Sequence, residues 1–368
     1  MTMTQNQSFI TIDNKRFHYI WLRENCSTCR YTSPYQQLYD RKISYRPENP
    51  QPLSVELNEK TLTIDWKETP AHRSVFSVDW LIENSYDPGP QLESDHSIFW
   101  DKATLESRSQ NAYDARTIDR NNWMEALFRF GFVLLENMTP EELEPFLLDI
   151  GPIYNAHYGK IVPLQLNDSD KKTAYSSSRD GCPLPVHNDL SYWGGHRLVQ
   201  FIHCIEHNNP GGASILVDGF RVASDFREDY PEYFQLLVDT PVQFLLSDQQ
   251  NDYRFCNIAT ILECDRNGNL ETIRFNKRNC RPQLSFTEIE EFYQAYNLFC
   301  RYLNHPQYQY QLKLEANNCL LFQNFRVLHG RTAFDPALGT RNLRTGYVDW
   351  NFFVGRRNFK KPEIALLR

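Results

Sequence analysis

Short β-type runs separated by turns fill most of the chain from Leu198 onward, and one long helical pattern interrupts them. Many short strands with few helices favour a β-sandwich or jelly roll that carries helices on one face. We therefore predict a mostly β fold with flanking helices for the larger part of the chain. The β-type runs are 198–205, 214–217, 242–246, 258–263, 272–275, 319–322 and 344–350, and the helical pattern covers 286–303.

The first hundred residues form a separate β-rich segment. Residues 53–57 and 62–66 alternate apolar and polar side chains on either side of a polar turn, which predicts a hairpin. Runs at 9–12 and 17–21 flank a turn pair and predict another hairpin. A stretch rich in proline and polar residues follows, between 85 and 109. We place the domain boundary there, with an N-terminal β-rich domain at 1–100 and a second domain at 101–368.

Composition and charge exclude several classes of protein. The 368 residues carry a net charge of −7, which argues against a general nucleic-acid binder and against a binder of anionic membranes. The sequence contains no apolar stretch near the ~18 residues needed to cross a bilayer, and its start lacks a signal-peptide pattern. All but two of the 9 cysteines are scattered singly, which is typical of a reducing compartment. We expect a cytoplasmic protein without nucleic-acid or membrane partners.

The motif Val186-His187-Asn188-Asp189 carries the strongest chemical signal. In an extended segment, residues i and i+2 point the same way, so His187 and Asp189 can bind one metal ion. His329, just after a strand-like run, is the candidate third ligand. Two histidines and one carboxylate form the facial triad that holds non-haem Fe(II) and leaves coordination positions open. Arg341 follows His329, and its bidentate fork suits the distal carboxylate of a 2-oxoglutarate co-substrate.

Six sequence blocks cover nearly the whole second domain in order: GPIYNAHYG (151–159), VHND (186–189), VQFIHC (199–204), GGASILVDGF (211–220), NFRVLHGR (324–331) and RNLRTGYVDW (341–350). In order and spacing they resemble the Fe(II)/2-oxoglutarate dioxygenases grouped with γ-butyrobetaine dioxygenase, trimethyllysine dioxygenase and, more distantly, taurine dioxygenase. The segment WLRENC (21–26) resembles the N-terminal zinc-binding domain that accompanies the betaine and trimethyllysine enzymes.

The resemblance implies a double-stranded β-helix, or jelly roll, for the catalytic domain at 101–368. It implies that His187, Asp189 and His329 bind Fe(II). It also implies that Arg341 binds 2-oxoglutarate and that Ser214 contacts the same carboxylate. The implied reaction consumes 2-oxoglutarate and O₂, releases succinate and CO₂, and oxidises a substrate C–H bond. Because Asp189 supplies the carboxylate that halogenases of this type lack, hydroxylation or desaturation is favoured. The family further implies a homodimer.

The N-terminal resemblance raises the question of zinc. Cys26 and Cys29 form a Cys-x-x-Cys pair, whose spacing suits two ligands of a tetrahedral zinc ion. By resemblance, His72 is the matching histidine ligand. The family pattern C-x-C-x-x-C has three cysteines, whereas this chain has two. Two interpretations stay open, namely a zinc ion completed by water or another ligand, and a metal-free knuckle.

The resemblance also implies a substrate pocket in which aromatic side chains hold a quaternary ammonium by cation–π attraction. Tyr158, Tyr175 and Tyr347 match positions of such cage tyrosines, and Tyr192 and Trp193 follow the metal motif closely enough to line the same pocket.

The chain departs from the cage pattern at two positions. Val162 stands where a tryptophan is expected, and Leu190 replaces an aromatic residue after the metal-binding aspartate. A long polar segment precedes His187, and residues 176–181 are a candidate lid over the metal. A remodelled pocket for a different amine or amino-acid-like metabolite therefore stays open.

We predict a 2-oxoglutarate-dependent dioxygenase that hydroxylates an unactivated C–H bond of a small molecule, namely an amine, betaine or amino-acid-like metabolite. One alternative is oxidative desaturation or another tailoring reaction on a natural product. Others are a hydroxylase of proteins or peptides and a catalytically inert binding protein of the same fold. The complete set of metal ligands argues against the inert protein, because a decayed enzyme usually loses a ligand first.

Overall fold

Strands dominate the computed structural model of the chain, which describes residues 2–26, 29–32, 37–39, 47–87, 97–108, 112–164, 181–195, 197–249 and 251–358. The chain divides into two units, Met1–His96 and Ser97–Arg368. Within the described ranges, no helix is both long enough and apolar enough to span a membrane.

The described part of the N-terminal unit forms small antiparallel sheets, β1-β2-β3, β4-β5 and β6-β7-β8. Both predicted hairpins form, but the second strand of the first hairpin ends at His18 and the chain continues as a helix. Alternate residues of the strands, such as Ile10, Leu62 and Ile64, form the buried core of this unit. The elements are β1 (Met3–Gln5), β2 (Phe9–Ile12), β3 (Lys15–His18), α1 (Tyr19–Glu24), β4 (Arg30–Thr32), β5 (Gln37–Tyr39), β6 (Pro52–Leu57), β7 (Thr61–Trp66), β8 (His72–Ser77) and α2 (Val78–Glu83).

The second unit contains the longer strands and helices. Its elements are α3 (Lys102–Glu106), β9 (Ala112–Asp114), α4 (Arg120–Phe130), β10 (Phe132–Glu136), α5 (Pro140–Ile150), β11 (Ile161–Leu164), β12 (Leu184–His187), β13 (Leu198–His207), β14 (Ser214–Asp218), α6 (Gly219–Asp229), α7 (Pro231–Asp239), β15 (Val242–Asp248), β16 (Tyr253–Ala259), β17 (Leu262–Cys264), β18 (Leu270–Ile273), β19 (Cys280–Arg281), α8 (Phe286–Leu303), β20 (Tyr310–Leu312), β21 (Cys319–Gln323), β22 (Val327–Arg331), β23 (Arg341–Asp349) and α9 (Trp350–Asn358).

Two sheets of this unit enclose a shared core. The larger has the order β11-β23-β13-β21-β10-β9 and the smaller the order β12-β22-β14-β20. Ile202 and Phe322 from the larger sheet belong to the same buried cluster as Leu216 and Val327 from the smaller one. Because alternate residues of a strand face opposite sides, each sheet presents one apolar face to the other. The predicted mostly β, jelly-roll fold is confirmed.

Helices cover the outer faces of both sheets, whereas the sequence predicts helices on one face. Helix α4 contacts β10 and β21, and α9 contacts β13 and β23, on the larger sheet. Helix α6 contacts β14 and β22, on the smaller sheet.

Helices α6 and α7 lie between the strand-like runs 214–217 and 242–246, and the sequence marks where each helix begins. Asp218 caps α6 by accepting a hydrogen bond from Phe220 N, and Pro231 is the first residue of α7.

Candidate active site

Strands β12 and β22 bring the two predicted metal-binding histidines together. The strands pair antiparallel with His187 opposite His329, and the centroids of the two imidazole rings lie 4.5 Å apart. Glycine is required beside His329, because a Cβ on Gly330 would lie 2.6 Å from the carbonyl oxygen of Leu184. The close approach of these two strands therefore sets the spacing of the two rings.

Asp189 reaches the histidines through a turn. Strand β12 ends at His187, and the turn continues through Leu190, whose φ is 58°. Asn324 holds the turn on both sides of Asp189: its Oδ1 accepts from Asp189 N at 2.9 Å, and its Nδ2 donates to Asp189 O at 2.8 Å. Asn188 is buried, and its Oδ1 accepts a hydrogen bond from Phe275 N at 2.9 Å. His187 and Asp189 thus converge through this turn and not through strand alternation.

The three side chains form a compact set of ligand atoms. Asp189 Oδ1 lies 3.3 Å from His187 Nε2, and Asp189 Oδ2 lies 3.8 Å from His329 Nε2. One ligand atom from each residue lies within 4.8 Å of the other two. His187 Nδ1 lies 2.9 Å from Pro185 O, so this nitrogen carries the proton and Nε2 keeps its lone pair.

Burial and the neighbouring side chains shift the pKa values of Asp189 and His329 toward the protonation states that metal ligands need. Burial disfavours the Asp189 carboxylate, but the adjacent His329 and His187 outweigh it and hold the pKa of Asp189 well below its ordinary value. The pKa of His329 is lowered to about 3, mainly by burial and secondly by the neighbouring His187. An ionised carboxylate and neutral imidazoles are the forms that bind divalent metals, and this donor set fits Fe(II).

Hydrogen bonds behind the triad orient Asp189. Tyr347 Oη and Gln200 Nε2 each donate to Asp189 Oδ2 at 2.8 Å. Tyr158 Oη lies 2.6 Å from Tyr347 Oη. Because the Tyr347 proton points at Asp189, Tyr158 must be the donor in that contact. Burial and the charge of Asp189 raise the pKa of Tyr347 well above its ordinary value, so its hydroxyl stays a donor.

A cavity of about 400 Å³ opens beside the triad, within the usual range for small-molecule sites. Ser214, Arg331 and Arg341 form a cationic recess in its wall. Ser214 pairs with Arg331 across β14 and β22, and both guanidinium carbons lie near the Phe334 ring, at 4.6 Å for Arg331 and 5.6 Å for Arg341. Burial and the charge of Arg331 lower the pKa of Arg341 to about 10, so it remains charged at neutral pH. The recess can therefore bind a carboxylate.

Comparison with known proteins identifies the family. Residues 107–347 match the family described as "Taurine catabolism dioxygenase TauD, TfdA family". The chain belongs to this family. The predicted resemblance is thereby confirmed, and the chain is a dioxygenase.

Curated relatives span most of the chain. γ-Butyrobetaine dioxygenase from Pseudomonas sp. (strain AK-1) is 29% identical over 351 residues, which cover 92% of this chain and 89% of the relative. Trimethyllysine dioxygenase from Meyerozyma guilliermondii is 27% identical over 369 residues, covering 93% and 90%. The crystal structure of AAD-2 in complex with Mn(II) and N-oxalylglycine matches with a TM-score of 0.52 at 14% identity, covering 65% of this chain and 92% of that one. The structural match shows the shared fold.

The predicted substrate tyrosines of this dioxygenase occupy different places. Tyr158 and Tyr192 line the cavity. Tyr347 is fully buried behind Asp189, where it donates to the carboxylate. Trp193 donates its Nε1–H to Tyr154 Oη at 2.7 Å. Tyr175 and the candidate lid residues 176–180 lie outside the described residues.

Sequence reasoning missed several polar residues of the cavity. Arg331 carries a usable signal, because it lies two residues after His329 on one strand and so faces the same side. Gln200 lies on β13, where nearly every residue is buried, so alternation does not single it out. Arg278 and Arg281 also line the cavity, but they belong to an irregular segment around the two-residue strand β19 and carry no periodic signal.

The N-terminal unit holds a second cluster of ligand atoms. Cys26 Sγ and Cys29 Sγ lie 3.2 Å and 3.5 Å from His72 Nε2. Arg23 Nη1 lies 3.4 Å from Cys29 Sγ and is ion-paired through its Nε with Glu68 at 2.8 Å. The pKa of the Cys29 thiol is raised, mainly by burial and secondly by the adjacent Cys26. Metal binding there would therefore release a proton. The three predicted residues are thus brought together.

Proposed function

We propose that this dioxygenase uses Fe(II) and 2-oxoglutarate to hydroxylate an unactivated C–H bond of a small amine, betaine or amino-acid-like metabolite. One observation carries the proposal. The ligand atoms of His187, Asp189 and His329 converge on the wall of a cavity that also contains Arg341. A metal triad beside a buried, permanently charged guanidinium is the arrangement that a metal and a dicarboxylate need together.

Each residue has a definite task in this proposal. The imidazoles of His187 and His329 and the Asp189 carboxylate would hold the ion. Arg341 would hold the distal carboxylate of 2-oxoglutarate, and the Ser214 hydroxyl would donate a hydrogen bond to the same carboxylate. Bound Fe(II) and 2-oxoglutarate supply the O₂-dependent oxidation of the substrate. Apolar side chains of the cavity wall, such as Ile202, restrict water around the reacting C–H bond.

The substrate class is supported by the relatives and by the cavity. The names of the two relatives refer to γ-butyrobetaine and trimethyllysine, both of which carry a quaternary ammonium. Tyr158 and Tyr192 on the cavity wall offer aromatic faces for such a cation.

Succinate release from 2-oxoglutarate tests the function. The protein with Fe(II), 2-oxoglutarate and O₂ should release succinate, and an accepted amine, betaine or amino acid should stimulate that release. His187→Ala and Asp189→Ala should abolish it while the circular dichroism spectrum stays unchanged. Arg341→Ala should instead raise the 2-oxoglutarate concentration required. The mass of the oxidised product distinguishes hydroxylation from desaturation. A wild-type protein that binds no iron and releases no succinate would support the inert binding protein.

We further propose that Cys26, Cys29 and His72 bind a zinc ion completed by a fourth ligand. The nitrogen and sulfur donors and their short separations support this. Purified protein should contain about one zinc per chain by elemental analysis. Cys26→Ser should lose the metal and lower the melting temperature, whereas Cys256→Ser, at an exposed cysteine of β16, should do neither. Zinc-free protein of unchanged stability would favour the metal-free knuckle.

We also propose that the protein is a cytoplasmic homodimer. The nine cysteines all lie in the described part of the chain and form no disulfide there, which suits a reducing compartment. Light scattering coupled to gel filtration and cell fractionation test the two statements separately.

A further inference from the structure

A short turn supports the cationic recess from outside the cavity. The turn joins β13 to β14 and contains Gly211 and Gly212, just before Ser214. Gly212 packs against the side chain of Arg341: its φ is 76°, and a Cβ there would lie 3.1 Å from Arg341 Cδ and Nε. The position of this turn therefore limits where the Arg341 side chain can lie.

His207 holds the turn in place. It is the last residue of β13, and it lies opposite Arg341 in the pairing of β13 with β23. The His207 ring is buried, with Nε2 3.0 Å from Gly211 O and Nδ1 3.0 Å from Leu314 O. Leu314 lies between β20 and β21, so the ring connects the turn with a distant segment of the chain.

The two contacts of His207 cannot both be hydrogen bonds while the ring is neutral. Neutral imidazole carries one N–H, and its other nitrogen presents a lone pair, whereas a carbonyl oxygen can only accept. The protonated ring carries two N–H groups and can donate to both oxygens. The charged form of His207 is therefore the form that satisfies both contacts.

Burial and positive charge oppose the protonation of His207. Burial has the largest influence on the pKa of His207 and lowers it, whereas the two carbonyl groups raise it. The charges of Arg341 and Lys313 lower the pKa further. Arg341 Nε is buried and has no hydrogen-bond partner among the described residues. A carboxylate bound to Arg341 would offset one of the charges that keep His207 neutral.

The remaining ionisable groups near His207 do not change with the ligand. The Cys204 thiol contacts Leu314 O and stays neutral, because burial raises its pKa to about 12. Glu206 and Glu315 have exposed side chains, where solvent screens their charge. Arg341 is thus the neighbour of His207 through which a bound anion acts.

We propose that His207 is a positioning residue of the recess and takes up a proton when a carboxylate binds to Arg341. The inference rests on the proposed function, which assigns the distal carboxylate of 2-oxoglutarate to Arg341. The new N–H bonds the second carbonyl oxygen, so the turn under Arg341 is held more firmly while the co-substrate is bound. Since the pKa of His207 is then higher in the bound than in the free protein, affinity for 2-oxoglutarate rises as the pH falls between the two values.

Calorimetry counts the proton. Protein loaded with Mn(II) is titrated with 2-oxoglutarate at pH 6 and pH 8, in buffers of different ionisation enthalpy. Wild-type protein should take up as much as one proton at pH 6 and less at pH 8, and it should bind about 3- to 10-fold more tightly at pH 6. His207→Gln cannot titrate at this position, so it should lose the uptake and this pH dependence. Its affinity for Mn(II) should stay at the wild-type value, because the triad is unchanged.

The control is His305→Gln, at an exposed histidine that follows α8, which should keep the wild-type uptake. Binding of 2-oxoglutarate to the wild-type protein without proton uptake overturns the inference, and so does an uptake that persists in His207→Gln.

NMR of ring-labelled histidines tests the same link without a ligand. The His207 signal is the one missing from His207→Gln. Arg341→Gln removes the charge that the co-substrate would offset, so the His207 signal should titrate at higher pH than in the wild-type protein. An unchanged titration overturns the inference. Failure of the proposed function looks different, because the wild-type protein then neither binds 2-oxoglutarate nor releases succinate, and the NMR titration still decides the role of His207.

Discussion

At the scale of single residues, two hydrogen bonds decide how Asp189 presents its oxygens to a metal. Tyr347 and Gln200 both donate to Asp189 Oδ2, which leaves Oδ1 toward His187. Tyr347→Phe and Gln200→Leu each remove one donor and free the carboxylate to rotate. We expect each change to weaken Fe(II) or Mn(II) binding by about 10- to 100-fold, the usual effect of losing a hydrogen bond to a metal ligand. Metal titration of the variants measures this.

A buried tyrosine elsewhere provides the matched control for Tyr347. Tyr308 Oη donates to Asp225 Oδ2 at 2.8 Å, and neither residue belongs to the described cavity wall. Tyr308→Phe should cost stability but leave metal affinity unchanged. If Tyr347→Phe binds metal as tightly as the wild-type protein, Tyr347 has no part in orienting Asp189.

At the scale of elements, the close pairing of β12 and β22 sets the distance between His187 and His329. The Cβ of an alanine at position 330 would meet the backbone oxygen of Leu184, which belongs to a paired strand and cannot yield as a side chain would. Gly330→Ala should therefore cost about 1–3 kcal/mol of unfolding free energy. It should also weaken metal binding by separating the two rings. Urea unfolding and metal titration of the variant check both effects.

Gly355→Ala in α9 is the control, because a Cβ there meets nothing within 4 Å. Since alanine favours helix over glycine, this change should be neutral or stabilise by up to about 1 kcal/mol. Equal behaviour of the two alanine variants would contradict the argument about strand spacing.

The same elements show how far sequence can predict such a site. Helix α8 has the bounds that the sequence predicts, because it follows one clear hydrophobic period. The run 258–263 instead breaks into the ends of β16 and β17, since composition does not reveal where an apolar segment turns. Asp189 is placed by a turn that Asn324 holds from 135 positions away, and no local pattern predicts such a contact.

At the scale of the whole catalytic unit, Arg326 joins segments that are far apart in sequence. It is fully buried, and its Nε and Nη2 donate to Asp218 at 3.0 Å and 2.8 Å. Its remaining donors reach the carbonyl oxygens of Arg129 and Ile98 at 3.0 Å and 2.7 Å. Arg326→Met leaves the Asp218 charge buried without its cation, so we expect a loss of about 3–5 kcal/mol in urea unfolding.

Arg120 pairs with Asp149 on the surface of the same unit, where the two side chains are 38% and 59% exposed. Solvent screens that pair, so Arg120→Met should change the free energy of unfolding by less than about 1 kcal/mol. If both methionine variants lose a similar amount of unfolding free energy, burial of the Arg326–Asp218 pair does not determine how much that pair stabilises the fold.

Two buried histidines and one half-buried histidine should make the whole unit sensitive to acid. Burial is the main cause that lowers the pKa of His157, His203 and His207 below the ordinary 6.5. The contacts of His203 explain why its neutral form is preferred. Its Nε2 donates to Met138 O at 2.8 Å, and its Nδ1 accepts from Arg344 Nε at 3.2 Å.

Below pH 6.5 these histidines bind protons in the unfolded chain but not in the folded chain. The free energy of unfolding must therefore fall as the pH falls through this range. The slope approaches about 1.4 kcal/mol per pH unit for each such histidine. Urea unfolding between pH 8 and pH 5 measures this slope. His203→Gln removes one of these histidines, so it should reduce the slope by up to the contribution of one proton. A stability that stays constant over this range would show that these histidines titrate alike in the folded and unfolded chains.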